Sequence, residues 1–279
     1  MSEIIELAQF RAFSFEEDPE ALVDMQRCRE HLEGSWFDRE ETVRMRQKIV
    51  CRALGSSWVV TLARTIVGYA DLIGMPSGEG LVPHWRLHPD YRDPRLGRKL
   101  LNGLQEAAAK RSYKGLAFFC DIPEVQEDLE RLGIPRSRSF FWAKASDLEG
   151  GEPLEITESR EELPELMNRN YLPFLGTPLP PKLVFAQAHM ASSYGVFSYQ
   201  RPRLGSVLFH DRQFVLCFDG REWYIFRTEK HPEDGDAIRP LLETLGSWHD
   251  GRILLSAKAL EKAGLEAMSA EPVWDCFVG

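Results

Sequence analysis

The side chains able to take up a proton or hold an anion lie close together between Glu79 and Lys99. His84 offers an imidazole with an unperturbed pKa of about 6.5, suited to accept a proton near neutrality. Glu79, between Gly78 and Gly80, offers a carboxylate for the same task. Further on, Arg92, Arg95, Arg98 and Lys99 surround Pro94-Arg95-Leu96-Gly97, where a helix begins. A helix start leaves its first N–H groups unpartnered and carries the positive end of the macrodipole. Exposed cations there are each unfavourable by roughly 0.3–1 kcal/mol. A bound polyanion such as a pyrophosphate reverses that sign. The same residues also fit a plainer description: a solvated basic turn, a hydrogen-bonded strand histidine and a loop carboxylate.

The elements around these residues follow from periodicity. Leu81 to His88 reads as a strand with Trp85 and Leu87 apolar, ended by Pro89. Asp93-Pro94 marks a turn. Leu96, Leu100, Leu101, Leu104 and Ala108 then fall on one helical face, with Gly97 in the first turn. Upstream, Phe10 to Phe15 reads as a strand. Asp18-Pro19-Glu20 opens a helix to about His31, and Asp38 caps a second that Gly55 stops near Leu54. Ser57–Ala63 and Thr65–Ile73 form a hairpin, followed by a loop from Gly74 to Gly80. Downstream come a buried strand at Leu116–Cys120, a helix from Pro123 to Leu132 ended by Gly133, and a strand from Ser139 to Ala145. Asp121 is placed to cap that helix. The order is β-α-α-β-β-β-α-β-α-β.

Glu149-Gly150-Gly151-Glu152-Pro153 has linker composition and divides the chain at 148/149. The second half repeats the outline: a short strand at Leu154–Thr157, a helix from Arg160, and a proline-rich loop from Pro173 to Pro181. A helical stretch follows from Leu183, then strands at Ser206–His210, Phe214–Phe218 and Trp223–Thr228, with a turn at Asp219-Gly220. A helix over Ala237–Leu245, a strand at Ile253–Ala257, a short helix stopped by Gly264 and a last strand at Val273–Val278 complete it. Leu260-Glu261-Lys262-Ala263-Gly264-Leu265 echoes Leu129-Glu130-Arg131-Leu132-Gly133-Ile134, which reads as an internal duplication.

A chain of 279 residues with 43% hydrophobic content has room for two ordinary domains. Its net charge of −9 argues against a general nucleic-acid binder and suits a small cationic substrate. No apolar run is long enough to span a membrane. The acidic start, Met1-Ser2-Glu3-Ile4-Ile5-Glu6, has no signal-peptide pattern. Cys28, Cys51, Cys120, Cys217 and Cys276 are scattered, without metal-ligand spacing, as expected of reduced thiols in a cytoplasm. No metal is expected.

The stretch Leu87-x-Pro89-x-Tyr91-Arg92 followed by Arg92-x-x-Arg95-x-Gly97 resembles the acetyl-CoA motif of the GNAT acyltransferases, Q/R-x-x-G-x-G/A after a strand exit. Arg95 stands where the family has its first glycine. The element order of residues 8–147 is also the family's order. The resemblance implies an α/β class with a mixed α+β sheet, as two tandem GNAT-like domains, 1–148 and 149–279. It implies an acyl-CoA N-acyltransferase in the first, moving an acetyl group from acetyl-CoA to a small-molecule amine. Trp85 and Leu87 would border the pantetheine arm. Arg92, Arg95, Leu96, Gly97 and Arg98 would hold the diphosphate, largely through backbone amides. Such transfer needs a base for the amine, fixed donors for the carbonyl oxygen, and proximity; His84 and Glu79 are the candidate bases. The tyrosine that commonly serves as general acid in this family corresponds to Leu129. In the second half the matching loop, Glu229 to Asp236, is acidic and lacks the motif. The expectation is a degenerate copy without coenzyme, in a monomer or homodimer with no nucleic-acid or membrane partner. A catalytically silent acyl-CoA-binding or scaffold protein is the alternative.

Overall fold

The computed structural model describes residues 6–14, 47–51, 53–63, 65–148, 153–158, 171–176, 179–185, 203–218, 222–230, 234–248 and 251–279. The helix expected from Asp18, most of the one expected from Asp38, the helix from Arg160 and the Asp219-Gly220 turn lie outside them; residues 47–51 are helical. The chain divides into two compact units, Met1–Ser137 with Cys276–Gly279, and Arg138–Asp275. Compared with a division at 148/149, residues 138–148 join the second unit and the final four residues join the first.

In the first unit, β1 (Gln9–Phe13), β2 (Ser56–Leu62) and β3 (Thr65–Gly74) run antiparallel. β4 (Gly80–Val82) pairs antiparallel with β3 and parallel with β6 (Leu116–Cys120). The strand expected from Leu81 to His88 is in fact broken. β5 (Trp85–Leu87) is separate and, among the described residues, pairs only with β3. Between the pairs Ile73↔Leu81 and Ala70↔Trp85 the chain carries one more residue on the Leu81–Trp85 side than on β3. Such an extra residue bends a strand, and Pro83, lacking an N–H, sits at the bend.

The helix α1 (Pro94–Lys110) starts at Pro94 and buries Leu96, Leu100, Leu101 and Leu104. They share a core with Val60, Ala70, Leu72 and Phe118. Each large apolar side chain so buried contributes about 1.5–3 kcal/mol. Gly68 permits the close approach: a Cβ there would lie 3.2 Å from Leu87 and 3.4 Å from Leu100. The helix α2 (Pro123–Arg131) follows β6, and Gly133 with φ 79° turns the chain after it. Ile122 is its N-cap and makes no side-chain cap bond, so Asp121 does not cap it as expected. The end of the last strand, β14 (Trp274–Val278), belongs to this unit. Phe277 is fully buried in its core, and Gly279 exchanges backbone hydrogen bonds of 2.9 and 3.0 Å with Leu116.

In the second unit, β7 (Arg136–Lys144) pairs antiparallel with β13 (Arg252–Ser256). β12 (Glu222–Arg227) lies parallel to β13 at Glu222 and Trp223, and β11 (Arg212–Phe218), β10 (Arg203–Phe209) and β8 (Thr157–Glu158) continue antiparallel. The helices α3 (Ile238–Trp248) and α4 (Ala257–Ala263) pack Leu241, Leu242, Leu245 and Leu260 on this sheet. Ser256 caps α4 and Gly264 ends it at φ 69°. The expected proline-rich loop is partly a strand, β9 (Leu172–Leu175), antiparallel to β12 with Pro173 opposite Phe226. Proline is tolerated there because β9 is an edge strand.

Candidate active site

The break between β4 and β5 shapes the candidate site. β4 stays with β6 through Val82↔Phe118. Beyond it, among the described residues, no strand pairs with β5 on the side away from β3. Which backbone groups face that bare side follows from the alternation of an antiparallel ladder. The His84 carbonyl accepts from Asp71 N at 3.1 Å, and His88 N donates to the Val67 carbonyl at 2.9 Å. The even-numbered residues therefore spend their backbone groups on β3. The N–H groups of Trp85 and Leu87 point to the bare edge. The indole of Trp85 is buried edge-on to Phe118, centroids 5.7 Å apart, and its Nε1 has no hydrogen-bond partner.

His84 sits at the bend itself. Its Nδ1 lies 2.8 Å from Oδ2 of Asp71, a fully buried carboxylate on β3. Oδ1 of Asp71 accepts from the Ser57 hydroxyl at 2.5 Å and from the Tyr69 hydroxyl at 2.6 Å. Ser57 is the cross-strand neighbour of Asp71, and Tyr69 lies two residues away on the same face, so strand pairing alone assembles the group. The imidazole is about a quarter exposed, at 26%. Sequence reasoning named His84 but missed Asp71. The hairpin pairing that puts Ser57 opposite it was the available signal. Glu79, the other candidate base, sits in the β3–β4 turn, where its carbonyl accepts from Met75 N at 2.8 Å. It is at the far end of β4 from His84, and the two are not brought together.

The start of α1 is arranged around an internal anion. Asp93 is its N-cap, and its Oδ1 accepts from Arg95 N at 2.8 Å. The Arg95 guanidinium closes on the same carboxylate, with Nη2 2.7 Å from Oδ2. That guanidinium, joined by the Arg95 backbone N–H, pulls the Asp93 carboxyl down to about 2. The N–H groups of Leu96 and Gly97 donate to the Asp93 carbonyl at 2.9 and 3.2 Å, and Pro94 has none. Arg98 is exposed on the first turn.

Arg92 turns toward α2. Its Nη2 contacts Oδ1 of Asp128 at 3.0 Å and donates to the Glu124 carbonyl. Burial pushes the Asp128 carboxyl up, against the pull of Arg92. A small cleft runs between Leu87, Pro94 and Gly97 on one side and Asp128 and Leu132 on the other. Gly97 keeps it open. A Cβ there would lie 3.3 Å from Leu87 and 3.4 Å from Leu132. Leu129, which the sequence resemblance set against a tyrosine, is fully buried in the core. Cys120 is also buried there. Among the described residues no group of His, Cys, Asp and Glu is arranged to hold a metal, and no helix is long and apolar enough to cross a membrane.

No family model matches the sequence, and no curated protein matches it. Solved structures do match in fold. A GCN5-related N-acetyltransferase from Kribbella flavida aligns over 98% of this chain and 71% of its own, at 15% identity and a TM-score of 0.53. A tandem GNAT protein from the clavulanic acid biosynthesis pathway aligns over 98% of both chains at 13% identity and 0.46. A putative GNAT acetyltransferase from Desulfovibrio desulfuricans covers 47% of this chain and 87% of its own, at 19% identity and 0.36. The molecule is a mixed α/β protein with the GNAT fold. That likeness in fold to the Kribbella flavida protein extends over 98% of the chain.

Proposed function

We propose that the first unit is an acyl-CoA-dependent N-acyltransferase that moves an acetyl group from acetyl-CoA to the amine of a small molecule. The bare edge of β5 is the observation that carries this reading. An extended pantetheine arm can pair with the outward N–H groups of Trp85 and Leu87 as an added strand would. When bound, acetyl-CoA supplies the activated thioester. The β5 amides orient the carbonyl and polarise it. His84 takes the proton from the amine. Arg98 and Arg95 flank the diphosphate end, and Arg92 holds α2 against the cleft.

The fit is good along the arm and poorer at the diphosphate. Asp93 already occupies the helix start, and Arg95 must leave it to meet a phosphate. The second reading, a coenzyme-binding but catalytically silent protein, is favoured by that arrangement and by Leu129 in the acid position. Two measurements separate the readings. A thermal shift with acetyl-CoA at about one hundred times Kd gives about 2.7 kcal/mol of stabilisation if the coenzyme binds. Thiol release over a panel of small amines, peptides and aminoglycosides then reports turnover. Release upholds the transferase, binding without release upholds the silent protein, and no shift at millimolar ligand overturns both.

A further inference from the structure

We infer that Arg92 serves the coenzyme by cancelling the charge of Asp128 inside the cleft, not by touching a phosphate; the inference rests on the coenzyme-binding part of the reading above. Four charged side chains line the cleft: Arg92, Asp93, Asp128 and Arg131. The two carboxylates differ in burial, Asp93 being 23% exposed and Asp128 8%. Water screens Asp93, and the Arg95 guanidinium closes on it. Asp128 has little water around it. A charge so placed acts through a low effective dielectric constant, and a polyanion entering the same cleft is repelled strongly.

Arg92 is the side chain that answers this charge. Its Nη2 reaches Oδ1 of Asp128 at 3.0 Å and also donates to the Glu124 carbonyl in the first turn of α2. To meet a phosphate the guanidinium would have to leave both, and the carboxylate would then stand alone beside the ligand. Arg131, the other cation of the cleft, pairs with Glu127 one turn earlier on the exposed face of α2. Such surface pairs contribute little. Burial already works against the charged form of Asp128; Arg92 and Arg131 oppose that rise, and Glu127 adds to it. The resemblance sets Arg92 at the diphosphate, whereas the geometry gives it to Asp128. Arg92 is thus a positioning residue that acts through a second side chain. Removing one partner of a buried pair leaves the other charge uncompensated, which is more harmful than removing both.

The test is the affinity of the whole chain for acetyl-CoA, measured by calorimetry at one salt concentration, in Arg92→Met, Asp128→Asn and the double variant. Methionine keeps the packing of the arginine stem without its charge. Arg92→Met is expected to bind at least about tenfold more weakly. Asp128→Asn is expected to bind as tightly as the natural protein or more so, and the double variant to return to within about threefold of it. A phosphate contact by Arg92 makes the double variant as weak as Arg92→Met, and a mere strut between β5 and α2 makes Asp128→Asn as weak; either result overturns the inference. The double variant decides even where Arg92→Met does not fold, because it buries no lone charge. The charged groups around Asp128 are Arg92 at the exit of β5, Asp93 with Arg95 at the start of α1, and Glu127 and Arg131 on α2 itself. Relative to the double variant, Arg92→Met should therefore regain affinity as pH falls and Asp128 takes up its proton; a flat ratio overturns the inference. Without coenzyme, carbon NMR of the aspartate carboxyls, assigned with Asp128→Asn, should show Asp128 titrating higher in Arg92→Met than in the natural protein; an unmoved titration also overturns it. No binding by the natural protein defeats the functional reading and this inference with it, whereas binding without rescue in the double variant defeats this inference alone.

Discussion

The same strand has opposite fortunes in the two units. In the first, the chain leaves the parallel pairing with β6 after Val82, and β5 continues with one edge unpaired among the described residues. In the second, β12 leaves its parallel partner β13 after Trp223, but β9 occupies the edge so exposed. Ile225 to Arg227 are paired on both sides, with β11 and with β9. On the proposed function, the first unit's corresponding edge is left for an extended ligand, whereas here a strand of the chain's own takes it. The sequences that follow these strands differ in the same sense. Arg92 to Lys99 is basic, whereas Glu229 to Asp236 is acidic and would repel a diphosphate. The lesson is that two sheets with similar parallel-strand breaks differ in whether the edge beyond the break is filled by the chain itself.

The largest effect that would break this contrast concerns the shared last strand. Phe277→Ala should destabilise the first unit by about 3–5 kcal/mol, because that ring is fully buried in its core. Denaturant unfolding followed through Trp58 and Trp85 as against Trp223 and Trp248 would show the loss confined to the first unit. If both units lost stability equally, the division into two cores would fail.

Next in size, Gly97→Phe should abolish the acetyl-CoA thermal shift, since even a Cβ there presses on Leu87 and Leu132. Gly235→Ala, whose Cβ has the end of the Lys262 side chain as its nearest contact, should leave the shift unchanged. Leu129→Tyr, which introduces the residue type that the resemblance implies there, should cost about 1–3 kcal/mol by overpacking and add no activity, because Leu129 is sealed in the core.

The smallest effect is electrostatic. Asp93→Asn removes the anion held at the start of α1. The folded carboxyl is pulled down to about 2 from an ordinary 3.8, so its contribution is complete above the unfolded value and fades as pH falls through the folded one. The stability gap between the natural protein and Asp93→Asn should be constant above about pH 5 and close between about pH 4 and pH 2. With Arg95 released, acetyl-CoA should bind Asp93→Asn more tightly than the natural protein. Weaker binding would mean that Asp93 organises the site for the diphosphate.

Much of this was legible in the sequence because local chemistry decided it. The apolar run Leu116–Cys120, the α1 stripe from Leu96 to Ala108, the hairpin around Ala63 and the stop at Gly264 are each set by neighbours a few residues away. What escaped depends on pairing over distance. Nothing within Leu81 to His88 announces that its first half keeps β6 and its second half does not. Pro173 reads as a breaker until β12 offers an edge. Phe277 joins a core more than a hundred residues upstream by sequence, beside Leu116. In the site, His84 was visible by its chemistry, whereas Asp71 looks like one more strand residue until Ser57 is placed opposite it.

The most direct test is amide hydrogen exchange, read residue by residue with and without acetyl-CoA. The account predicts new protection at the Trp85 and Leu87 amides, whose N–H groups face the bare edge. Arg86 and His88 are bonded to β3 already and should change little, and Ile225 to Arg227 should not change at all. Protection that appears on β12, or coenzyme binding that leaves Trp85 and Leu87 exchanging as before, would contradict it.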